Sequence, residues 1–293
     1  MLRALSQVSQ EKSFAVKGGT AINLFVRDIP RLSVDIDLAY LPIEPRDATL
    51  RNISNGLQKI ASAIGKNLPN TSVVKTIDAG SEQISKLVVQ SQQVRIKVEP
   101  NIVIRGAVYP PVTRDLSKSA EKMFEIFVSA KTLSTADLYG GKICAALDRQ
   151  RPRDLFDVKI LLDNEGISPE IRKAFVVYLA SHDRPIHELL NPVPKDMERT
   201  FQNEFLGMTL FPVKYDDLQK TFKTLVATIN KDLSNQEREF LISLKEGNPR
   251  WALLDIPEID RLPAVQWKLK NIHKMDKKKH AEALKRLKIK LRI

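Results

Sequence analysis

At 293 residues the chain can bury roughly three quarters of its extended surface, so it needs no disulfide or structural metal to hold a core. Its 43% hydrophobic and 28% charged residues exclude the disordered and fibrous classes, and a single cysteine, Cys144, excludes an intramolecular disulfide framework and suits a reducing cytosol. The formal charge of +12 is uneven: residues 264–293 carry eleven Lys and Arg against Asp276 and Glu282, a net of +9 that leaves +3 for the rest.

The first residues contain no apolar leader, and no apolar run approaches the ~20 residues that a membrane helix needs, so the expectation is a soluble cytoplasmic protein without a membrane partner. Residues 14–19 read as a short strand entering a Gly-Gly turn, 20–27 as a helix and 32–41 as a strand. A long helix over 46–68 precedes three Val- and Ile-rich strands over 71–79, 84–91 and 94–104, predicted to form a meander. That is an α+β pattern on a mixed or antiparallel sheet. From Ser134 onward only helical periodicity is visible. Ser134 and Asp137 have capping-box spacing, and a further helix restarts at Pro152 and stops at Gly166. A boundary near residue 165 is expected, giving a catalytic domain over 1–165 and a helical domain with the basic tail over 166–293.

Chemistry concentrates first at "KGGTAINLFVRDIPRLSVDIDL". On a strand, Asp35 and Asp37 share one face while Val34, Ile36 and Leu38 take the other. Two like charges so close repel, and a divalent cation relieves that repulsion, since Mg²⁺ takes carboxylate oxygens and completes its shell with water and phosphates. A solvent-facing polar edge is the plain alternative for an isolated Asp-x-Asp. Gly18 and Gly19 let a ligand approach the backbone, and Thr20 can cap the helix or donate its hydroxyl. Glu99, on the outer face of the 94–104 strand with Arg95 and Lys97, is a candidate third carboxylate if that strand pairs beside Asp37. The competing reading is an amphipathic strand with exposed charges.

The run Lys17, Gly18, Gly19, Thr20, Ala21, followed by Arg31, Ser33, Asp35 and Asp37, resembles the signature of the AbiEii/AbiGii toxin family, whose fold is that of polymerase-β-like nucleotidyltransferases. The stretch "DLYGGKICAALDRQRPRDLFDVKILL" resembles the family's second signature, carried here by Lys142, Arg153, Asp154 and Asp157. The likeness runs from about Phe14 to about Met275.

Helical spacing places Leu138, Lys142, Ala145 and Arg149 on one face, so Lys142 and Arg149 project together. Asp154 and Asp157 are either a catalytic group and its partner or members of a structural ion-pair network. The resemblance implies that Lys142 and one of the two aspartates, Asp157 favoured, belong to an active site. It also implies Mg²⁺ or Mn²⁺ on Asp35 and Asp37, to which Glu99 stays a candidate addition from its strand position. It implies an NTP substrate held by Gly18, Gly19, Thr20, Arg31, Ser33 and Arg153, joined by Arg149 from its helical spacing, a tRNA acceptor with arrested translation, and a cognate antitoxin. A phosphate on Ser33 would oppose NTP binding there. The basic C-terminal segment favours RNA as the acceptor, against the bland reading of a lysine-rich solubilising helix. The different-class alternative is a catalytically silent nucleotide- or RNA-binding component. The four histidines are spaced for no metal set and read as solvated, and Cys144 reads as a buried small side chain.

Overall fold

The computed structural model describes residues 1–77, 81–92 and 94–293. Its contacts divide the chain into two compact units, Met1–Ser134 and Thr135–Ile293.

The first unit holds a seven-stranded mixed sheet of order β3-β4-β5-β2-β1-β7-β6. Its strands are β1 (Phe14–Lys17), β2 (Ile36–Tyr40), β3 (Ser72–Ile77), β4 (Ile84–Gln90), β5 (Arg95–Asn101), β6 (Val112–Asp115) and β7 (Ser129–Thr132). The expected meander is β3-β4-β5, antiparallel throughout, while β2 pairs antiparallel with β1 and parallel with β5. The strand expected over 71–79 ends at Ile77, and Asp78 and Ala79 lie outside the described residues. Helices α1 (Leu2–Val8), α2 (Gly18–Ala21), α3 (Arg46–Asn67) and α4 (Lys118–Phe124) complete the unit. On α3, Ile53, Leu57, Ile60 and Ile64 recur at helical spacing and are fully buried.

Two local readings change. The helix expected over 20–27 begins at Gly18 and passes at Ile22–Val26 into a π-turn, in which the Arg27 N–H donates to the Ile22 carbonyl at 2.7 Å. Such turns insert one residue into a helix and re-aim the chain downstream. The strand expected over 32–41 begins only at Ile36, so Asp35 lies in the bend ahead of β2, and Val34, expected on the core face, is 45% exposed.

The second unit is helical: α5 (Thr135–Asp148), α6 (Pro152–Asn164), α7 (Pro169–Ser181), α8 (Ile186–Leu189), α9 (Glu198–Glu204), α10 (Tyr215–Asp232), α11 (Asn235–Lys245), α12 (Pro263–His273) and α13 (Lys277–Leu291). The division falls at Ser134/Thr135, ahead of residue 165, because α5 packs along α7 and α6 against α10. Pro152 does start α6, and Gly166, at φ +72°, returns its N–H to the Leu161 carbonyl at 2.9 Å. The basic tail is ordered helix. Leu287 and Leu291 of α13 are buried; His273 is exposed, as expected, while bonding the Gly247 carbonyl, and His280 is half-buried on the Lys245 carbonyl at the end of α11. Among the described residues, no helix is long and apolar enough to cross a membrane.

Candidate active site

In the first unit the register of three strands sets the arrangement. Lys17 of β1 is the direct partner of Asp37 on β2, and Asp37 is in turn the partner of Glu99 on β5. Directly opposed residues share a sheet face, so Lys17, Asp37 and Glu99 form one row across the sheet. Asp37 is half-buried and Glu99 exposed, while Ile36 and Leu38 beside them are fully buried on the other face.

The glycines set how closely this row meets the helix start. Gly18 sits at φ +66°, and a Cβ there would lie 2.6 Å from Asp37 Oδ2. Any side chain at Gly18 would therefore be strained and would displace the carboxylate. A Cβ at Gly19 would lie 2.6 Å from the Arg31 guanidinium, which is buried and donates to the Leu32 carbonyl at 2.8 Å. Thr20 ties the loop down: its hydroxyl shares a hydrogen bond of 2.8 Å with Ser33 Oγ and donates to the Asp35 carbonyl. Gly18, Gly19, Thr20, Arg31, Ser33, Asp35 and Asp37 are thus brought together.

Two residues outside the expected set join them. Lys17 enters through the strand register, and the Lys-Gly-Gly run marks it. The fully buried Asn23 donates from Nδ2 to the Gly19 carbonyl at 2.8 Å, holding the glycine turn from the first residues of the π-turn. An Asn four residues after a glycine turn was its only signal.

The donor set suits a divalent cation. Asp37 brings a hard carboxylate oxygen against the glycine turn, with Asp35 two residues before it, and Mg²⁺ is commonly held by one or two carboxylates plus substrate oxygens. Among the described residues, no group of three or more His, Cys, Asp or Glu side chains is gathered closely enough to hold a metal by itself, so the row brings Glu99 beside Asp37 without closing a three-acid cage.

The second unit carries the other cluster. Lys142 is buried at 7% exposure, and its ammonium lies 2.8 Å from Asp154 Oδ1 and 3.0 Å from Asp157 Oδ2. Arg149 forks onto the same Asp154, with Nε 2.5 Å from Oδ2 and Nη2 3.0 Å from Oδ1. Burial alone would raise the Asp154 carboxyl, but the charge of Lys142 and the fork from Arg149 hold it well below the usual carboxylate range. Arg149 keeps its side chain 51% exposed, whereas Arg153 is half-buried. Of the two roles left open for Asp154 and Asp157, their geometry is that of partners to Lys142. Cys144 is a packed side chain whose thiol burial pushes far up.

The family described as the nucleotidyl transferase AbiEii toxin of type IV TA systems matches residues 1–271. The chain belongs to this family. No curated protein matches it. Among solved structures, MenT4, a nucleotidyltransferase toxin of Mycobacterium tuberculosis H37Rv, is similar in fold at 17% identity and a TM-score of 0.62, over 92% of this chain and 89% of that one. The α+β architecture of this AbiEii-family chain is therefore that of a nucleotidyltransferase toxin. Lys290 and Arg292 of its basic tail lie beyond the residues that the family matches.

Proposed function

We propose that this member of a toxin family transfers a nucleoside monophosphate from an NTP to an RNA hydroxyl, with tRNA as the acceptor and blocked translation as the result. The observation that carries the reading is the row of Lys17, Asp37 and Glu99 set against a glycine turn whose missing side chain lets the Asp37 carboxylate approach the backbone at Gly18. Family membership supports the reaction class, and a cognate antitoxin follows from it.

Gly18 and Gly19 admit the triphosphate to the backbone, and Thr20, Arg31 and Ser33 keep the loop ahead of Asp35 in register with them. Asp35 and Asp37 would hold Mg²⁺ or Mn²⁺, with Glu99 alongside; the ion would neutralise phosphate charge and align the leaving pyrophosphate. The acceptor oxygen forms its bond to the α-phosphorus as the bond to pyrophosphate breaks. Such chemistry depends chiefly on positioning and electrostatics. Lys142 and Asp157 already satisfy one another, so we assign them and Asp154 the task of fixing Arg149, whose half-exposed guanidinium can meet phosphate from the solvent side.

The test is incubation with each labelled NTP and total tRNA. The wild type transfers label from at least one nucleotide, and Asp37→Ala, having lost a cation ligand, transfers roughly a hundredfold less or none. Undiminished transfer by Asp37→Ala refutes the site assignment. A wild type that binds tRNA yet transfers no label is the silent component instead.

A further inference from the structure

The C-terminal end of the second unit contains a pocket of about 420 Å³ lined by Ala227, Asn230 and Lys231 of α10, Arg238 of α11, Lys290 of α13 and Arg292 just beyond it. That volume lies in the range of ligand pockets, roughly 300–1,000 Å³. Four of the six lining residues are cationic and none is acidic. Three acids of α11 and its end are engaged elsewhere, Glu237 with Arg172 at 2.8 Å, Glu239 with Arg250 at 3.1 Å and Glu246 with Lys288 at 3.0 Å, and Asp232, next in sequence to Lys231, is not among the lining residues.

Neutral groups hold these cations. Arg238 donates to the carbonyls of Leu233 at 3.0 Å, Leu291 at 2.9 Å and Asn230 at 2.6 Å, which fixes it where α10 and α13 both end. Lys290 reaches the Asn191 side-chain oxygen, at 3.5 Å. Burial, then Arg292 and Arg238, push its ammonium below the usual lysine range. The pocket thus gathers four like charges with no acidic partner among the described residues, a costly arrangement that an anion relieves.

We propose that this pocket is a phosphate site that holds a backbone phosphate of the RNA. The claim rests on RNA as the acceptor. A polymeric phosphate is favoured over a free one because the charge continues out of the pocket. Along α13, Lys277, Lys278, Lys279 and Lys285 are exposed over a helix of about 22 Å, at ~1.5 Å per residue, while Arg286 is paired with Glu282. Lys290 and Arg292 lie outside the family-matched residues, whereas the α10 and α11 lining residues lie within them.

The experiment measures total-tRNA binding across a salt series for the wild type, for Lys231→Gln/Arg292→Gln, and for a charge-matched control, Lys220→Gln/Lys223→Gln, elsewhere on α10. All four positions are exposed, and unchanged melting temperatures check the fold. Losing the one phosphate contact should flatten the slope of log affinity against log salt by about 0.7–0.9, with a loss on the order of tenfold at low salt, while the control follows the wild type. A pocket variant that superimposes on the wild type overturns the proposal and leaves the RNA reading standing. The same superposition together with wild-type binding of inorganic phosphate also overturns it, in favour of a small-anion site. A wild type that binds no tRNA at any salt removes the RNA reading itself.

Discussion

Asp154 receives two cations on one buried carboxylate, so its ionisation is bound up with the stability of the fold. A carboxyl whose folded pKa is depressed contributes stability above its unfolded pKa, about 3.9, and loses that contribution as pH falls toward the folded value. Removing one partner of a buried ion pair costs roughly 3–5 kcal/mol. Asp154→Asn should therefore destabilise the protein by about that amount at pH 7, measured by urea unfolding. The gap to the wild type should narrow below about pH 4, because the wild type then gives up the same interaction. A gap that stays constant down to about pH 2 would show that the charge of Asp154 is not what matters. Most of the candidate residues were legible at the residue scale, because Gly18 to Asp37 lie close in sequence and Lys142 to Asp157 span two adjoining helices. The row of Lys17, Asp37 and Glu99 was only conditionally legible. It depends on a parallel pairing between strands far apart in sequence, which no local pattern encodes.

Among the elements, those read from periodicity kept their identities, but α1, β6, α4 and β7 were not read, and the ends near the glycine turn shifted. The π-turn at Ile22–Val26 is set by bonds from outside the helix pattern, with the Asn23 side chain donating to the Gly19 carbonyl and the Ile29 N–H donating to the Asn23 carbonyl at 3.0 Å. The late start of β2 likewise follows from Thr20 holding the Asp35 carbonyl, a contact across the intervening loop. The division near residue 134 was illegible for a further reason: a run of helices does not announce which of them share a core. Here α5 belongs with α7 because Gly140 allows their backbones to approach. A Cβ at that position would come within 2.7 Å of the Phe175 nitrogen and 2.9 Å of the Ala174 carbonyl carbon. Since the obstruction is backbone, it cannot swing aside, and overpacking typically costs 1–3 kcal/mol. Gly140→Val should lower stability by at least about 2 kcal/mol in chemical denaturation. Gly141→Ala, whose Cβ would meet the Tyr178 ring at an ordinary 3.5 Å, should cost little. Equal effects of the two would refute the close crossing as the reason for glycine at 140.

For the molecule as a whole, the net positive charge is concentrated at one end of the sequence. Nine of the twelve net positive charges lie in the last thirty residues, and three consecutive lysines, Lys277 to Lys279, occupy the first turn of α13. That is an unfavourable place for cations, because a helix N-terminus carries a partial positive charge and prefers acids, each such position being worth about 0.3–1 kcal/mol. Asp276 caps the turn, accepting from the Lys279 N–H at 3.0 Å, yet the lysines remain exposed and without an acidic partner among the described residues. A helix kept only for solubility gains nothing from this arrangement, whereas one that meets phosphate does. Substituting all three with glutamine should therefore leave the melting temperature equal or slightly higher. It should also raise the KM for tRNA and flatten its salt dependence by roughly 2.5 logarithmic units per unit of log salt, with kcat unchanged. An unchanged KM would reduce α13 to a solubilising helix, and a fall in kcat at saturating tRNA would place these lysines in the chemical step.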